Sequence, residues 1–524
     1  MPRPSSCLAA SAAVLALTAA GPACAADPPS LVVVVVVDQM RADYVDRFGA
    51  EFTGGLGRLF RTGIRYTDAH QDHAVTETAP GHATVLSGRS PASTGIVANR
   101  KGVSDPSAPL LGVDGAGASP HRFRGTALLD WIRVRHPDAR ALSVSRKDRG
   151  AILPIGRARA DVYWLVRGRF TTSTWYADSL PAWLASWNAR RGAARLAGTQ
   201  WELSRPAGSY PEPDSMAYEY GGGRKVFPHP FPTDTSDAEK AVGDSPWADS
   251  LTLDVALDGA RVLQLGRRRA PDLLVVSLSA TDIIGHRFGP DSREVHDQLL
   301  RLDRWLGTFL DSLAVLVPRE RTVLALTADH GVLPFPERSG TGGRASIRSL
   351  MLDAERRLEG ASTGALDFDF DSGLITADVA AIRAMGVNLD SLSSALARDA
   401  AAVAGVGSVY TPATLAAAPA ADEEARLWRK LVPEDGRWLL AASLRSGWQW
   451  GEGSGGTTHG STARDDTHVP IVFVVPGRPA GSVASRVTTE DIGPTLAALV
   501  GVAPTEAVTG RVLPEVAGPG SQRR

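Results

Sequence analysis

The sequence predicts an α/β fold: a mostly parallel central sheet with helices on both faces, plus inserted cap segments. Three observations carry that prediction. Apolar runs at Leu31 to Val37, Leu273 to Leu278 and Val323 to Leu326 are continuous rather than alternating. Such runs belong to strands buried on both faces, as in a parallel sheet. Helix-like stretches at 249–265 and 292–315 flank the second run, which makes a strand–helix–strand unit. Finally, each run breaks off at or near an aspartate: Asp38, Asp282 or Asp329. Open parallel sheets place their chemistry at the carboxyl ends of the strands.

The elements follow in order. The N-terminus reads as separate from the fold. Arg3, an apolar stretch from Cys7 to Ala20 and then Ala23-Cys24-Ala25 make a secretory signal peptide over residues 1–25. The apolar part is too short to span a bilayer. Cys24 raises a lipoprotein signal, but Gly21-Pro22-Ala23 lacks the usual leading leucine. After the first strand, 54–61 forms a short helix that Gly63 ends. A loop over 69–80 opens into a run at 81–86. Residues 126–135 are helix-like and 141–145 a short strand. From about 152 to 247, Trp164, Trp175, Trp183, Trp187 and Trp201 crowd among Gly and Pro, as in an insertion that covers a cleft. A second insertion spans about 334–436, with alanine-rich helical stretches such as 392–402. A flexible Gly/Ser/Thr loop at 451–458 leads to His459. A buried strand at 469–475 and a helix at 491–500, capped by Gly501, close a main unit of 26–514. Residues 515–524 are expected to form a flexible tail.

Bulk properties narrow the class. A chain of 524 residues suits one large α/β unit with insertions, or two domains. Hydrophobic content of 43% and charged content of 22% are those of a soluble globular protein. A net charge of -1 gives no sign of a nucleic-acid or acidic-membrane partner. Both cysteines lie in the signal segment, so the mature chain rests on its core and on bound metal rather than on disulfides. No later segment has the ~18 uninterrupted apolar residues of a membrane helix. The expectation is a periplasmic or secreted monomer without a membrane span.

The candidate metal ligands come from those strand ends. An isolated carboxylate at Asp38 is costly unless paired with a cation, although Asp38 also suits a helix N-cap. Asp282 and His286 stand one helical turn apart, with Gly285 removing bulk between them. Asp329 and His330 are adjacent at a strand end, and His459 follows a glycine-rich loop. Without cysteine the ligands are nitrogen and oxygen, so zinc leads and manganese is second. The other focus is Thr76-Glu77-Thr78-Ala79-Pro80-Gly81-His82. A threonine hydroxyl is a poor nucleophile until a base or metal lowers its pKa. Thr78 suits a helix N-terminus, where phosphate binds, or a simple N-cap. Thr76 is the competing hydroxyl, and His82 reads as structural.

In this order these residues resemble the alkaline phosphatase superfamily. The matching pieces are Val37-Asp38-Gln39, Thr78-Ala79-Pro80-Gly81-His82-Ala83, Gly95-Ile96-Val97-Ala98-Asn99, Lys147-Asp148-Arg149-Gly150, Asp282 with His286, Asp329-His330-Gly331, His459-Gly460 and Asp491-Ile492-Gly493-Pro494-Thr495-Leu496. They span Leu31 to about Val502. The branch resembled is that of secreted bacterial phosphate-irrepressible alkaline phosphatases with a threonine nucleophile. That branch is itself similar to nucleotide pyrophosphatase/phosphodiesterases.

The resemblance implies an alkaline phosphatase-like catalytic domain with two zinc ions. Asp282, His286 and His459 would hold one; Asp38, Asp329, His330 and the Thr78 oxygen would hold the other. Thr78 would attack phosphorus in line and become a phosphothreonine. The Asp282 site would stabilise the leaving oxygen and then supply hydroxide, a clamp with ions roughly 3.5–4 Å apart. Lys147 and Arg149, read as alternate residues of an extended segment, would contact the non-bridging oxygens together with Asn99. Without that context, 145–150 reads as a solvated charged turn. A monoester offers two charged terminal oxygens to this pair and a diester only one. The expected substrates are therefore small-molecule phosphate monoesters of broad range, with phosphodiesterase or nucleotide pyrophosphatase activity as the alternative. A sulfatase fits less well, because Thr78 and His82 stand where its modifiable Cys or Ser and its arginine would be. A metal-stabilised binding protein without catalysis is the remaining class, which Thr78→Ala separates.

Overall fold

The computed structural model describes residues 29–220, 225–340, 342–359, 366–453 and 455–518. The expected signal peptide lies outside them. The three apolar runs lie side by side. Leu31–Val37 sits between Asp272–Leu278 and Thr322–Thr327 and is parallel to both. Ala141–Ser145 and Asp161–Val166 extend the parallel part on one flank. Ile471–Val474 joins the other flank antiparallel. With Ile64–Tyr66, Arg169–Thr171 and Gly481–Val483 at the margins, this makes a sheet of nine strands.

The central strand explains its own composition. Successive side chains point to opposite faces. Leu31, Val33, Val35 and Val37 enter one core with the helices Gly55–Thr62, Trp247–Val262 and Arg293–Leu316. Val32, Val34 and Val36 enter a second core with Thr78–Ser87, Leu128–Arg135 and Ile492–Leu499. Both faces are covered, so no position of the strand is polar. Gly501, at φ 71°, follows the Ile492–Leu499 helix in the left-handed region, as expected.

Four boundaries differ from the sequence reading. The Thr78–Ser87 helix begins earlier than the run at 81–86, because Pro80 in its first turn has no N–H to lose there. Asp161–Val166 and Arg169–Thr171 are the last two strands on one side of the main sheet, so Trp164 belongs to the core and not to an insertion. Trp183 and Trp187 pack edge-on against Tyr163 and Phe170, and Trp201 donates to Asp297 at 2.7 Å. These tryptophans fasten the segment to the sheet edge and to the Arg293–Leu316 helix. Within this segment Tyr218 O accepts from Gly456 N–H at 2.7 Å, in the loop that leads to His459.

The second insertion also continues past 436. Trp438–Leu444 is an inner strand of a separate antiparallel sheet with Asp369–Asp371, Leu374–Thr376 and Val406–Tyr410. The Leu389–Ala401 helix packs Leu396 and Ala400 into that sheet's own core. At the C-terminus, Pro514–Ala517 is helical and Val516 is fully buried. The fold therefore extends beyond 514, and 519–524 lie outside the described residues.

Candidate active site

The strand ends deliver the acids. Asp38 follows Val37 directly, and its N–H donates to Leu278 O at 2.9 Å. Gln39 then turns the chain off the sheet at φ 66°, in the left-handed region. Its N–H donates to Asp329 Oδ1 at 3.1 Å and its side-chain amide to Asp282 Oδ1 at 2.8 Å. Asp282 lies in the first turn of Ala280–Phe288, and His286 follows one turn later on the same face. His286 Nε2 is 3.2 Å and His459 Nε2 3.5 Å from Asp282 Oδ1. His330 Nε2 lies 3.5 Å from Asp38 Oδ1 and 3.6 Å from Asp329 Oδ2. Residues far apart in sequence thus form one cluster of two groups that share Asp282: Asp282–His286–His459 and Asp38–Asp282–His330.

Two glycines permit this closeness. A Cβ at Gly81 would fall 2.2 Å from Asp329 O, so only glycine lets the Thr78 helix rest on that strand end. A Cβ at Gly285 would fall 1.8 Å from Gln39 Oε1. Gly285 therefore makes room for Gln39, rather than thinning the space between Asp282 and His286.

The donor set fits a divalent metal. Nδ1 of His286, His330 and His459 lies 2.8, 2.9 and 2.7 Å from the carbonyl oxygens of Thr457, Gly331 and Thr76. A carbonyl only accepts, so each Nδ1 carries the proton. The three Nε2 lone pairs then converge on the carboxylates, the arrangement metal-bound histidines adopt. Asp38 Oδ1 is buried with no hydrogen-bond donor. Nitrogen and oxygen without sulfur suit a borderline or hard ion.

Electrostatics point the same way. Burial, together with Asp282 and Asp329, pushes the Asp38 carboxyl well above its usual range. Burial would also raise Asp282, but Lys147 and His286 outweigh it and hold that group well below. His330 is pushed down to about 3 by burial, which favours the neutral ligand form. Lys147 Nζ sits 2.6 Å from Asp38 Oδ2 and 2.6 Å from Asp282 Oδ2. One buried ammonium among three buried carboxylates leaves the centre short of positive charge.

Thr78 is the first residue of its helix and 1% exposed. Its Oγ1 accepts from Lys147 Nζ at 3.2 Å and lies 3.5 Å from His330 Nε2. Thr76 instead braces the His459 loop: its hydroxyl donates to Ser461 O at 2.9 Å and accepts from Gly460 N–H at 3.2 Å. Asn99 Oδ1 accepts from Ala79 N–H at 2.9 Å, which leaves its Nδ2 as a donor. The extended reading of 147–149 is corrected. Lys147 caps a helix, Asp148–Ile152, because Gly150 packs closely against Ser145 and Ser277. Arg149 lies in the first turn of that helix. Its Nη1 lies 3.7 Å from Asp148, and its Nε is buried without an acceptor.

Sequence reasoning missed the residues that orient this set. His82 is more than structural: Nδ1 lies 3.1 Å from Asp329 Oδ2 and 2.9 Å from Thr78 O, and Nε2 2.8 Å from Ser277 Oγ. Its position four residues after Thr78, on one helix face, was the available signal. Gln39 had a weaker one, a polar residue directly after the strand-end acid. The His286 side chain is 35% exposed, whereas Asp38, Asp329 and His330 are wholly buried. Solvent therefore enters past His286.

Known proteins resemble this arrangement throughout. A family model described as type I phosphodiesterase / nucleotide pyrophosphatase matches residues 32–344. The chain is 32% identical to alkaline phosphatase PhoK of Sphingomonas sp, across 94% of this chain and 92% of that one. It is 28% identical to alkaline phosphatase PhoV of Synechococcus elongatus, across 93% of each. The crystal structure of alkaline phosphatase PafA, a protein of Elizabethkingia meningoseptica, aligns with a TM-score of 0.85 at 25% identity. That alignment covers 94% of this chain and 99% of PafA. A second PafA structure is of a variant substituted at a threonine, an asparagine, a lysine and an arginine.

Proposed function

Because this chain belongs to the type I phosphodiesterase / nucleotide pyrophosphatase family and is an alkaline phosphatase, a phosphate monoester hydrolase dependent on divalent metal, we propose that Thr78 is its nucleophile and a phosphothreonine its intermediate. The observation that carries this is the seat of Thr78. Its hydroxyl is buried at a helix N-terminus, 3.2 Å from an ammonium and 3.5 Å from a candidate metal ligand. The four residue types substituted in the PafA variant recur here, in the same order, as Thr78, Asn99, Lys147 and Arg149.

Asp282, His286 and His459 would hold one ion, and Asp38, Asp329, His330 and the Thr78 oxygen a second. Zinc is proposed for both, with manganese as the substitute. When bound, two such ions lower the pKa of the attacking hydroxyl and offset charge on the leaving oxygen. The remaining work belongs to the chain. Thr78 Oγ forms a bond to phosphorus as the opposite ester bond breaks. Lys147, released from Asp38 and Asp282 once other cations neutralise them, holds a non-bridging oxygen. Asn99 Nδ2 holds another, and the unpaired Arg149 Nε supplies an outer donor. Water then cleaves the phosphothreonine and frees phosphate. Such catalysis is mostly positioning and charge stabilisation, so breadth toward the alcohol portion is expected.

Two terminal charges on a monoester match Lys147 and Arg149 better than the single charge of a diester. The family-model match favours the second reading, phosphodiesterase or nucleotide pyrophosphatase activity. Turnover of an aryl phosphate monoester and its matching diester decides between them. Monoester turnover should dominate, Thr78→Ala should abolish it with metal retained, and Lys147→Ala should harm the monoester selectively. A preferred diester, with Lys147→Ala neutral toward the monoester, would reverse the assignment. Export through residues 1–25 and a monomeric state complete the proposal. Among the described residues no helix is long and apolar enough to cross a membrane.

A further inference from the structure

We infer that the hairpin formed by Asp369–Asp371 and Leu374–Thr376, in the inserted sheet, is an active-site element: through Ser372 and Glu77 it positions Asn99 and the turn that carries Thr78. The inference rests on Thr78 and Asn99 acting as proposed above. Glu77 precedes Thr78 and is buried. Its Oε2 accepts from Asn99 N–H at 2.8 Å, and its Oε1 accepts from the Ser372 hydroxyl. Asn99 Oδ1 in turn accepts from Ala79 N–H at 2.9 Å. Both chain neighbours of Thr78 are therefore tied to Asn99, one through its backbone and one through its side chain. Ser372 ties this ring to the inserted sheet.

Three further observations support the assignment. Ser372 sits at φ 43°, a left-handed conformation that glycine adopts freely and serine rarely. Strain of this kind persists where a side chain is needed. Second, the hairpin tip presses on the ligand loop: a Cβ at Gly460, directly after His459, would fall 2.4 Å from Ser372 Oγ. Third, charge clamps the hairpin onto the segment following Asn99. Lys101 Nζ lies 3.2 Å from Asp367, and Arg100 Nη1 lies 3.6 Å from Asp369. Burial and the Glu77 charge push the neighbouring Asp371 carboxyl up to about 9, which favours its uncharged form beside Glu77.

Ser372→Gly in the full-length, metal-loaded enzyme is the test, because it relieves the backbone and deletes only the hydroxyl. The melting temperature should stay level or rise and metal content should not change, while kcat for an aryl phosphate monoester falls about tenfold, the order expected of a small misplacement. Glu77→Ala should fall further, and Glu77→Gln, which keeps an oxygen for Asn99 N–H, should recover part of the loss. If the effect runs through Asn99, Ser372→Gly should cost less than about twofold in an Asn99→Ala background. Wild-type kcat in Ser372→Gly, a loss matched by a lower melting temperature, or a full second loss on top of Asn99→Ala would each overturn the inference. Thr78→Ala separates the levels. An active Thr78→Ala removes the nucleophile assignment and the hairpin with it. An inactive Thr78→Ala beside a fully active Ser372→Gly removes the hairpin inference alone.

Discussion

Among the described residues, two clusters of aspartate and histidine bring three ligand atoms within 4.8 Å of one another. One is the centre built on Asp38, Asp282, Asp329, His286, His330 and His459. The other is Asp68, His70 and His468, beside the short bridge between His70 and His468. Proximity does not distinguish them; the use of lone pairs and charge does. In the first, every imidazole spends Nδ1 on a carbonyl and turns Nε2 inward. In the second, His70 Nε2 is already bound to Asp68 at 2.8 Å, and His468 Nε2 to Thr67 O at 3.0 Å. The first centre has an excess of buried carboxylates. The second has Arg464 3.6 Å from its only aspartate, and Arg486 adds to the positive field at His70. A dication would relieve the first and be repelled by the second. The second cluster is a hydrogen-bonded brace between two segments.

Loss of a ligand should give the largest contrast. His459→Ala should lower kcat by about a thousandfold, as removal of a main charge-stabilising group does, and should reduce bound metal measured by elemental analysis. His468→Ala should leave metal content unchanged and kcat within about twofold. Equal metal loss in the two variants would break the comparison. Removing the ions altogether extends it. A chelator should lower the melting temperature of the wild type, because ligand binding to the native state stabilises it. His468→Ala should show the same drop, whereas His459→Ala should show little further change.

The first cluster was legible in the sequence and the brace was not, for a physical reason. Asp38, Asp329 and His330 end apolar runs, and Asp282 and His286 keep a helical spacing, so local pattern alone brings them into view. The same holds for the fold. Leu31–Val37 announces itself because both faces are buried, while the margins of the sheet do not. Ile64–Tyr66 and Arg169–Thr171 are three residues each and include an arginine. The helix at Asp148–Ile152 was not legible because Ser145 to Gly150 carries no apolar period that would reveal it. Glu77 and Ser372 lie 295 positions apart, and no local pattern joins them. What tertiary packing creates, such as the Gln39 niche over Gly285, left only a glycine as its trace.

Residues behind the ligands should give an intermediate effect. His82 holds Asp329 and the Thr78 carbonyl from one ring. His82→Ala should weaken metal affinity by about 10–100-fold, the usual cost of losing a partner that orients a ligand. Competition with a chelator measures this directly. His82→Gln, which keeps a donor, should recover part of it. In the brace, Thr467, whose hydroxyl lies 3.4 Å from His70 Nδ1, holds an equivalent place. Thr467→Val should not move metal affinity.

The smallest effect is a pH dependence, and it belongs to the brace. Burial first, then Arg486 and His468, hold His70 below its ordinary value of 6.5. Burial, which outweighs the opposing hydrogen bond to Thr67 and is aided by the charge of Arg464, holds His468 below 6.5 as well. The unfolded chain therefore takes up these protons before the folded one does. The stabilising contribution is complete above pH 6.5 and is lost as pH falls below it toward the folded values. Denaturant midpoints followed from neutral pH downward, with metal held saturating, should show this acid limb in the wild type. His70→Gln with His468→Gln should flatten it, because neither amide titrates, and should do so without loss of bound metal. Flattening accompanied by metal loss would make the brace a second metal site and dissolve the contrast between the two clusters.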